Sequence, residues 1–451
     1  AEHPSRGDLS QEGDAELMSS AIGFSAVTDE ILRTLGRPGR AYVGTLICLA
    51  AVLAVAVYAF LYQVRVGLGV AGYQHPALWG IYITNFVFWI GITHSGTLIS
   101  AVLFLFRARW RTGVARASEA MTVFAIMTGA LFPILHLGRP WLFYWLLPFP
   151  NERQLWVNFR SPIIWDLFAI LTYLTVSVVF LYIGLLPDIA TARDRVRDWR
   201  RGIYRVLSLG WSGSDRQWRH YLSLYGFLAA LAVPLAISVH SVVSWDFAVT
   251  LVPGWHSTIF APYFVAGAIF SGVAMIIVLL VPMRTRLGLE DHMQVRHFDN
   301  LGKLLLTMSL ILSYAYVMEF FGAWYTGSPF ERSTYWARVT GPYAPYTWAM
   351  LVFNGVIPLT LLARRVRTNL RALFGVALFA LIGMWLERYV IVAGSLAHNF
   401  DPANWTGVHH PTWVEGAITA GSFALFFFLF LVFVKLFPAV SMSETKAEMA
   451  T

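Results

Sequence analysis

The chain has 451 residues, 57% hydrophobic and 13% charged, with a mean hydropathy of +0.60. A charged share about half that of soluble domains excludes an ordinary soluble globular protein. The net charge of +8 gives no reason to propose nucleic-acid binding, since the basic residues are scattered between apolar stretches, and one cysteine excludes an internal disulfide or a four-thiolate iron–sulfur cluster.

Residues 1–40 form a polar tail, and residues 1–20 show no signal-peptide pattern. Leu17, Ile22, Phe24, Val27, Ile31, Leu32 and Leu35 give residues 14–35 a partly helical apolar stripe. It reads as a helix on the cytoplasmic surface or docked on a partner, or else as a frayed tail. Ten apolar stretches follow. A bilayer-spanning helix needs ~20 apolar residues, and Ala41–Tyr62, Thr258–Met283 and Gly416–Val434 supply them without a charge. The remaining spans are predicted at 80–106, 118–137, 161–186, 221–243, 302–326, 345–363 and 371–395. Cys48, in the first span, reads as a small core residue. The predicted fold is an all-α polytopic membrane protein in a lipid bilayer.

Orientation follows from the loops. Of 33 lysines and arginines, 26 fall in the N-terminal tail, the C-terminal end and residues 107–116, 187–219, 284–303 and 364–371. Six fall in the alternate loops, and Arg388 lies within a span. This bias predicts both termini in the cytoplasm.

A repeat runs through the second and sixth spans. Shifted by 176 residues, Phe88, Gly91, Ser95 and Gly96 match Phe264, Gly267, Ser271 and Gly272. Small residues at such spacing let helices pack closely in lipid. The repeat predicts two four-helix bundles, spans 2–5 and 6–9, with two flanking helices. The expected units are a tail (1–40), the first span and its loop (41–79), a first bundle (80–243), a second bundle (244–395), and a loop with the tenth span and a short tail (396–451). His94 and His136 match Phe270 and Leu312, which points to the first bundle as the chemically active one.

The third span ends PILHLGRPW, residues 133–141, where Gly138 and Pro140 stop the helix one turn after His136. The fourth begins NFRSPIIWD, residues 158–166, with Ser161 as N-cap and Pro162 at the first helical position. Antiparallel neighbours place His136 and Asp166 at one depth, flanked by Arg139 and Arg160 and by Trp141, Phe143, Tyr144, Trp145, Trp156 and Trp165. Ionisable residues inside a membrane cost ~2.5–3.5 kcal/mol on insertion scales, so they suggest function. An imidazole and a carboxyl beside a lipid-accessible aromatic pocket suit quinol oxidation. His136 would take a hydroxyl proton, and Asp166 would relay it or stabilise the imidazolium. The structural alternative is a buried His–Asp pair, or Asp166 paired with Arg139 or Arg160.

HLGRPW (136–141), NFRSPIIWDLFAI (158–170), HSVVSWDFA (240–248) and PGWHSTIFAPYF (253–264) resemble the NrfD/polysulfide-reductase family of membrane subunits. With MEFFGAWYTG at 318–327 and ten spans, the resemblance is strongest to the ActC-type quinol-binding subunit of bacterial alternative complex III. It covers about residues 40–440. It implies a bacterial inner-membrane subunit that oxidises menaquinol at the outer face, with His136 and Asp166 as the site pair. The implied partners are an iron–sulfur protein, a multihaem cytochrome c and a paralogous membrane subunit of the same family. No haem or cluster is expected in this chain, and no metal site.

Other polar residues fall at span depth: His94, His240, Asp246, Glu319, Glu387 and Arg388. They read as structural locks or as a proton path, with adjacent Glu387 and Arg388 each expected to pair with another helix. Asp246 is expected just beyond the fifth span, and Glu119 and Glu415 as solvated span ends. A b-type cytochrome, a secondary transporter, a paralogous proton-path subunit and a docking scaffold using loop 396–412 are the competing readings.

Overall fold

The computed structural model describes residues 23–73, 75, 77–147, 152, 154, 159–400, 405 and 407–449. Ten helices among them have the length and apolarity to cross a membrane. They are α1 (Arg40–Val66), α2 (Ile81–Leu105), α3 (Ala115–His136), α4 (Pro162–Arg195), α5 (Asp215–Ala248), α6 (Phe260–Arg286), α7 (Val295–Thr326), α8 (Ala344–Leu362), α9 (Leu370–Gly394) and α10 (Trp413–Leu436). The chain is a multi-pass membrane protein. Several helices outrun the apolar windows because their polar ends stay helical past them. The α5 start at Asp215 is fixed by a capping box in which the Ser214 hydroxyl accepts from the Gln217 amide.

Position in the fold follows side-chain size. α2 and α6 are almost wholly enclosed, while α1 is nearly all exposed. α2 and α6 run against each other, and Gly91, Ser95, Ser271 and Gly272 of the repeat lie in that contact, while Gly96 faces α3 and Gly267 faces α9. A Cβ on Gly272 would stand 2.5 Å from the Ser95 Cβ and 2.7 Å from the Ile92 carbonyl oxygen. A Cβ on Gly91 would meet the Ser271 Oγ at 3.4 Å. The Ser95 hydroxyl donates across the contact to the Ile269 carbonyl at 2.6 Å. Close backbone approach is the physical use of the repeat.

Around this axis, α2 touches α3 and α5, and α4 touches both of these, closing one four-helix ring. α6 through α9 close a second ring in the same sense, and α1 pairs with α10 against α3. α3 is interrupted at Ala130, since Pro133 has no N–H to give the Gly129 carbonyl. α8 and α9 each contain a five-residue wide turn, Val352–Val356 and Val390–Gly394.

The basic loops share one face with both ends of the described chain. Arg195 pairs with Asp29 at 3.0 Å, His292 with Glu30 at 3.3 Å and Arg111 with Glu444 at 2.5 Å. The tail helix, described from residue 23, docks on this chain's own loops through buried Val27, Ile31 and Leu35. Its predicted start at 14–22 lies outside the described residues. Two expectations are corrected here. Cys48 is exposed, because α1 lies at the periphery with only one side covered. Glu119 is buried, because α2 and α5 pack over the α3 start: its carboxylate takes hydrogen bonds from Ser100 at 2.5 Å and Tyr225 at 2.6 Å and pairs with Arg116 at 3.2 Å.

Candidate functional site

At the opposite face α3 ends as its sequence dictates, with Gly138 at φ +68° two residues after His136. α4 opens with Pro162 in its first turn, and Ser161 takes the extended N-cap backbone without a capping hydrogen bond from its side chain. Asp166 is the fifth residue of α4 and is 5% exposed. Its acidic neighbour is Asp246, close enough for the two carboxyls to interact electrostatically. Asp246 lies inside α5 rather than beyond it, because that helix runs on to Ala248. Oδ1 of Asp166 and of Asp246 is buried with no hydrogen-bond partner among the described residues.

His136 has different company. Its ring packs edge-on against Tyr73, centroids 5.2 Å apart, and its buried Nδ1 has no hydrogen-bond partner among the described residues. Among the described residues no hydrogen bond or ion pair joins His136 to Asp166. Gln63 of α1 ties the α3 end down: its amide donates to the Leu135 carbonyl at 3.0 Å and its oxygen accepts from Tyr82 at 2.5 Å. Tyr73 also approaches His409, centroids 6.3 Å apart. The His409 Nε2 lies 3.1 Å from Glu415 Oε2, and both side chains are fully buried. Glu415 is therefore no solvated span end. It closes the α10 capping box with Thr412 while His409 packs against it. Burial holds the Tyr73 phenol well above its ordinary range.

The flanking aromatics form an open band. Trp141, Tyr144 and Trp165 are 57%, 40% and 44% exposed, and Phe143 and Phe159 are exposed beside them. Arg139 and Arg160 are also exposed. The Trp165 indole donates to the Phe159 carbonyl at 2.7 Å and its ring meets Trp245 at 6.1 Å. Trp156 lies outside the described residues.

Deeper, His94 of α2 and His240 of α5 face each other, ring centroids 4.5 Å apart and both fully buried. His94 Nδ1 contacts the Ile90 carbonyl at 2.7 Å, while its Nε2 and both nitrogens of His240 have no partner. Rings this close leave no room for a macrocycle between them, which counts against bis-histidine haem ligation here. Among the described residues no three His, Cys, Asp or Glu side chains are grouped to hold a metal.

In the second ring Arg388 pairs with its own neighbour Glu387 at 2.5 Å, and each residue also reaches other helices as expected. Their long side chains cover the angular gap between adjacent positions. The Arg388 guanidinium also lies 4.3 Å over the Phe264 ring. The Glu387 carboxylate accepts from the Tyr316 hydroxyl and from Asn354 at 3.4 Å. Glu319 accepts from Tyr335 at 3.4 Å and lines a cavity of about 540 Å³ with Trp245, His256 and Tyr335.

The sequence did not single out Tyr73, Gln63 or Tyr82, nor did it join Asp246 to Asp166. These partners come from α1, α2, α5 and a loop, and no local spacing announces them. The capping pattern Thr412 to Glu415 was the one available signal.

Residues 69–398 match the family described as polysulphide reductase, NrfD. The chain is 27% identical over 425 residues to a putative dimethyl sulfoxide reductase membrane subunit of Halobacterium salinarum, covering 87% of this chain and 89% of that protein. It is 21% identical over 388 residues to a selenate reductase subunit of Mesobacillus selenatarsenatis, covering 82% and 88%.

Proposed function

The chain belongs to the polysulphide reductase NrfD family, and from that premise we propose that it is the quinol-binding membrane subunit of an oxidoreductase complex. The observation that carries this reading is a pair of proton-handling groups at one end of the first ring, beside an exposed aromatic band. Quinol supplies two electrons and two protons on oxidation. His136 Nδ1 and the Asp166–Asp246 carboxyl pair are buried polar groups with unused hydrogen-bonding capacity, which fits two hydroxyls to be deprotonated. Trp141, Tyr144 and Trp165 would admit the ring from the lipid, with Arg139 and Arg160 at the rim.

This face points outward if the basic face is cytoplasmic. Electrons leave to an iron–sulfur partner protein, since this chain supplies one cysteine. Menaquinol is the quinol we assign, from the family resemblance. The relatives carry the names of dimethyl sulfoxide and selenate reductase subunits, which favours a reductase-type assembly. An alternative complex III would add a multihaem cytochrome c and a paralogous membrane subunit, and the protein composition of the complex purified from native bacterial inner membrane separates the two. The units 80–243 and 244–395 would then divide the work. The first holds the quinol, and His94, His240, Glu319, Glu387 and Arg388 offer a proton path across the ring contact.

The test is steady-state quinol oxidation by assembled complexes. His136→Ala and Asp166→Asn should each lower turnover at least ~10-fold, the lower end of general acid–base contributions. His94→Ala should change it less. Wild-type rates in both site variants would make the pair structural.

A further inference from the structure

A groove of about 650 Å³ opens at the basic face, on the side of the protein opposite His136 and Asp166. Its walls are the first turns of α1, the end of α6 and the end of α10. It exists because α1 packs on α10 and α10 on α3, while neither α1 nor α10 packs closely along α6. Gly39, Arg286 and Lys435 stand at its mouth, and Leu49, Val278 and Phe427 line its inner end. Leu49 lies ten residues along from Gly39, and Val278 and Phe427 lie eight residues before Arg286 and Lys435. At ~1.5 Å per residue the groove runs inward for about 12–15 Å. That is about half of a hydrocarbon core ~30 Å thick.

The charge of the lining is one-sided. It contains two cations and no acidic residue, and every other lining side chain is apolar except those of Tyr42 and Thr45. Arg286 is exposed and makes no hydrogen bond or ion pair among the described residues. The Lys435 ammonium donates to the Thr34 carbonyl at 2.7 Å and lies 5.7 Å from the centre of the Tyr42 ring. An ammonium has three donors, so it keeps others for a ligand. α1 begins at the same mouth, with Gly39 as an N-cap lacking a side-chain cap and with no acidic residue in its first turn. Its first amides therefore add to the preference for an anion that the two cations set.

We propose that this groove binds one anionic phospholipid, with Arg286 and Lys435 at the phosphate and an acyl chain laid along Val278, Leu49 and Phe427. The order of the lining, cationic at the face and apolar toward the midplane, is the order of a lipid in a single leaflet. A membrane-crossing helix of a partner would meet α1 along its length, whereas the lining ends at Leu49, in the first half of Arg40–Val66. A quinone tail is uncharged and leaves both cations unmatched. The bound lipid fills the space that α1 and α10 leave beside α6, tying the peripheral pair to the second ring. This site is remote from the proposed quinol site and does not depend on it.

The experiment uses the purified complex, stripped of loosely held lipid, titrated with phosphatidylglycerol or phosphatidylcholine and read by native mass spectrometry. Wild type should take up phosphatidylglycerol in preference to the zwitterionic lipid. One cation facing an anionic lipid is worth a factor of about five. Arg286→Gln should therefore weaken phosphatidylglycerol uptake roughly fivefold and leave phosphatidylcholine uptake unchanged, and adding Lys435→Gln should weaken it by a similar factor again. Thr45→Trp fills the groove while keeping both cations, and should abolish the preference. Arg286 has no described partner to strand, so Arg286→Gln should assemble and decides the matter alone if the other variants do not. Equal uptake of the two lipids by wild type, or an undiminished preference in Arg286→Gln, overturns the proposal. So does a cross-link from Thr45→Cys, in a Cys48→Ala background, to another subunit, which would make the occupant a partner helix.

Discussion

Asp166 on α4 faces Asp246 on α5, carboxyl to carboxyl, across the seam that closes the first four-helix ring. We propose that the two groups act as one proton-holding unit, since neighbouring carboxylates resist double ionisation. Asp166→Asn and Asp246→Asn should therefore each slow quinol oxidation at least ~10-fold. The double variant should be no slower than the worse single one, because either change breaks the same unit. The check is a double-mutant cycle on kcat in assembled complexes. Multiplying effects would show two independent groups.

Glu387 and Arg388 make a sharper stability test. The pair is 0% and 2% exposed at the side chains and sits against Phe264, beside the contact between the rings. Removing one partner of a buried pair costs about 3–5 kcal/mol because the other charge is stranded. Arg388→Met should lower the thermal midpoint of the detergent-solubilised complex by several degrees. Adding Glu387→Gln should recover much of that loss. Equal midpoints for wild type and Arg388→Met would show that the pair carries no stability.

The spans were legible because ~20 consecutive apolar residues have one low-energy form in lipid. The repeat was legible because close packing leaves small residues at fixed spacing, and Gly91, Ser95 and Gly272 lie in the α2–α6 contact. The α3 stop and α4 start were legible from Gly138 and Pro162. Partner choice was not. Asp166 meets Asp246, and His136 meets Tyr73, through tertiary contacts between segments 80 and 63 residues apart in the sequence. Glu119 and Glu415 looked solvated because each lies near a span end, and only tertiary packing buries them, α2 and α5 over Glu119 and His409 over Glu415.

Topology is open to direct labelling. The segment 196–214 shares its face with the N-terminal tail and the α10 end, as the Arg200 contacts to the Leu35 and Lys435 carbonyls show. If that face is cytoplasmic, a cysteine at Arg216, in a Cys48→Ala background, should resist a membrane-impermeant thiol reagent in intact cells and react after permeabilisation. Arg216 is exposed and its helical backbone accepts any side chain, whereas Gly213 at φ +77° does not. Rapid labelling in intact cells would reverse the orientation and turn the quinol site inward.

The loop over the second ring should respond to acid. His398 Nε2 lies 2.7 Å from the Ser333 hydroxyl, and its ring stacks on Trp405 at 4.4 Å. Burial disfavours the imidazolium and lowers the His398 pKa below its ordinary value of ~6.5. A lowered histidine contributes stability that is fully present above the unfolded value and lost as pH falls through the folded one. Docking of residues 395–400 on the helix Pro329–Thr340 should therefore hold above about pH 6.5 and weaken progressively below it. Hydrogen exchange at these segments, corrected for intrinsic rates, should speed up between about pH 7 and pH 5, while the α2 and α6 amides stay protected. His398→Phe keeps the stacking and removes the titration, so its exchange should lose the pH dependence. The same acid response in His398→Phe would assign the effect to another group.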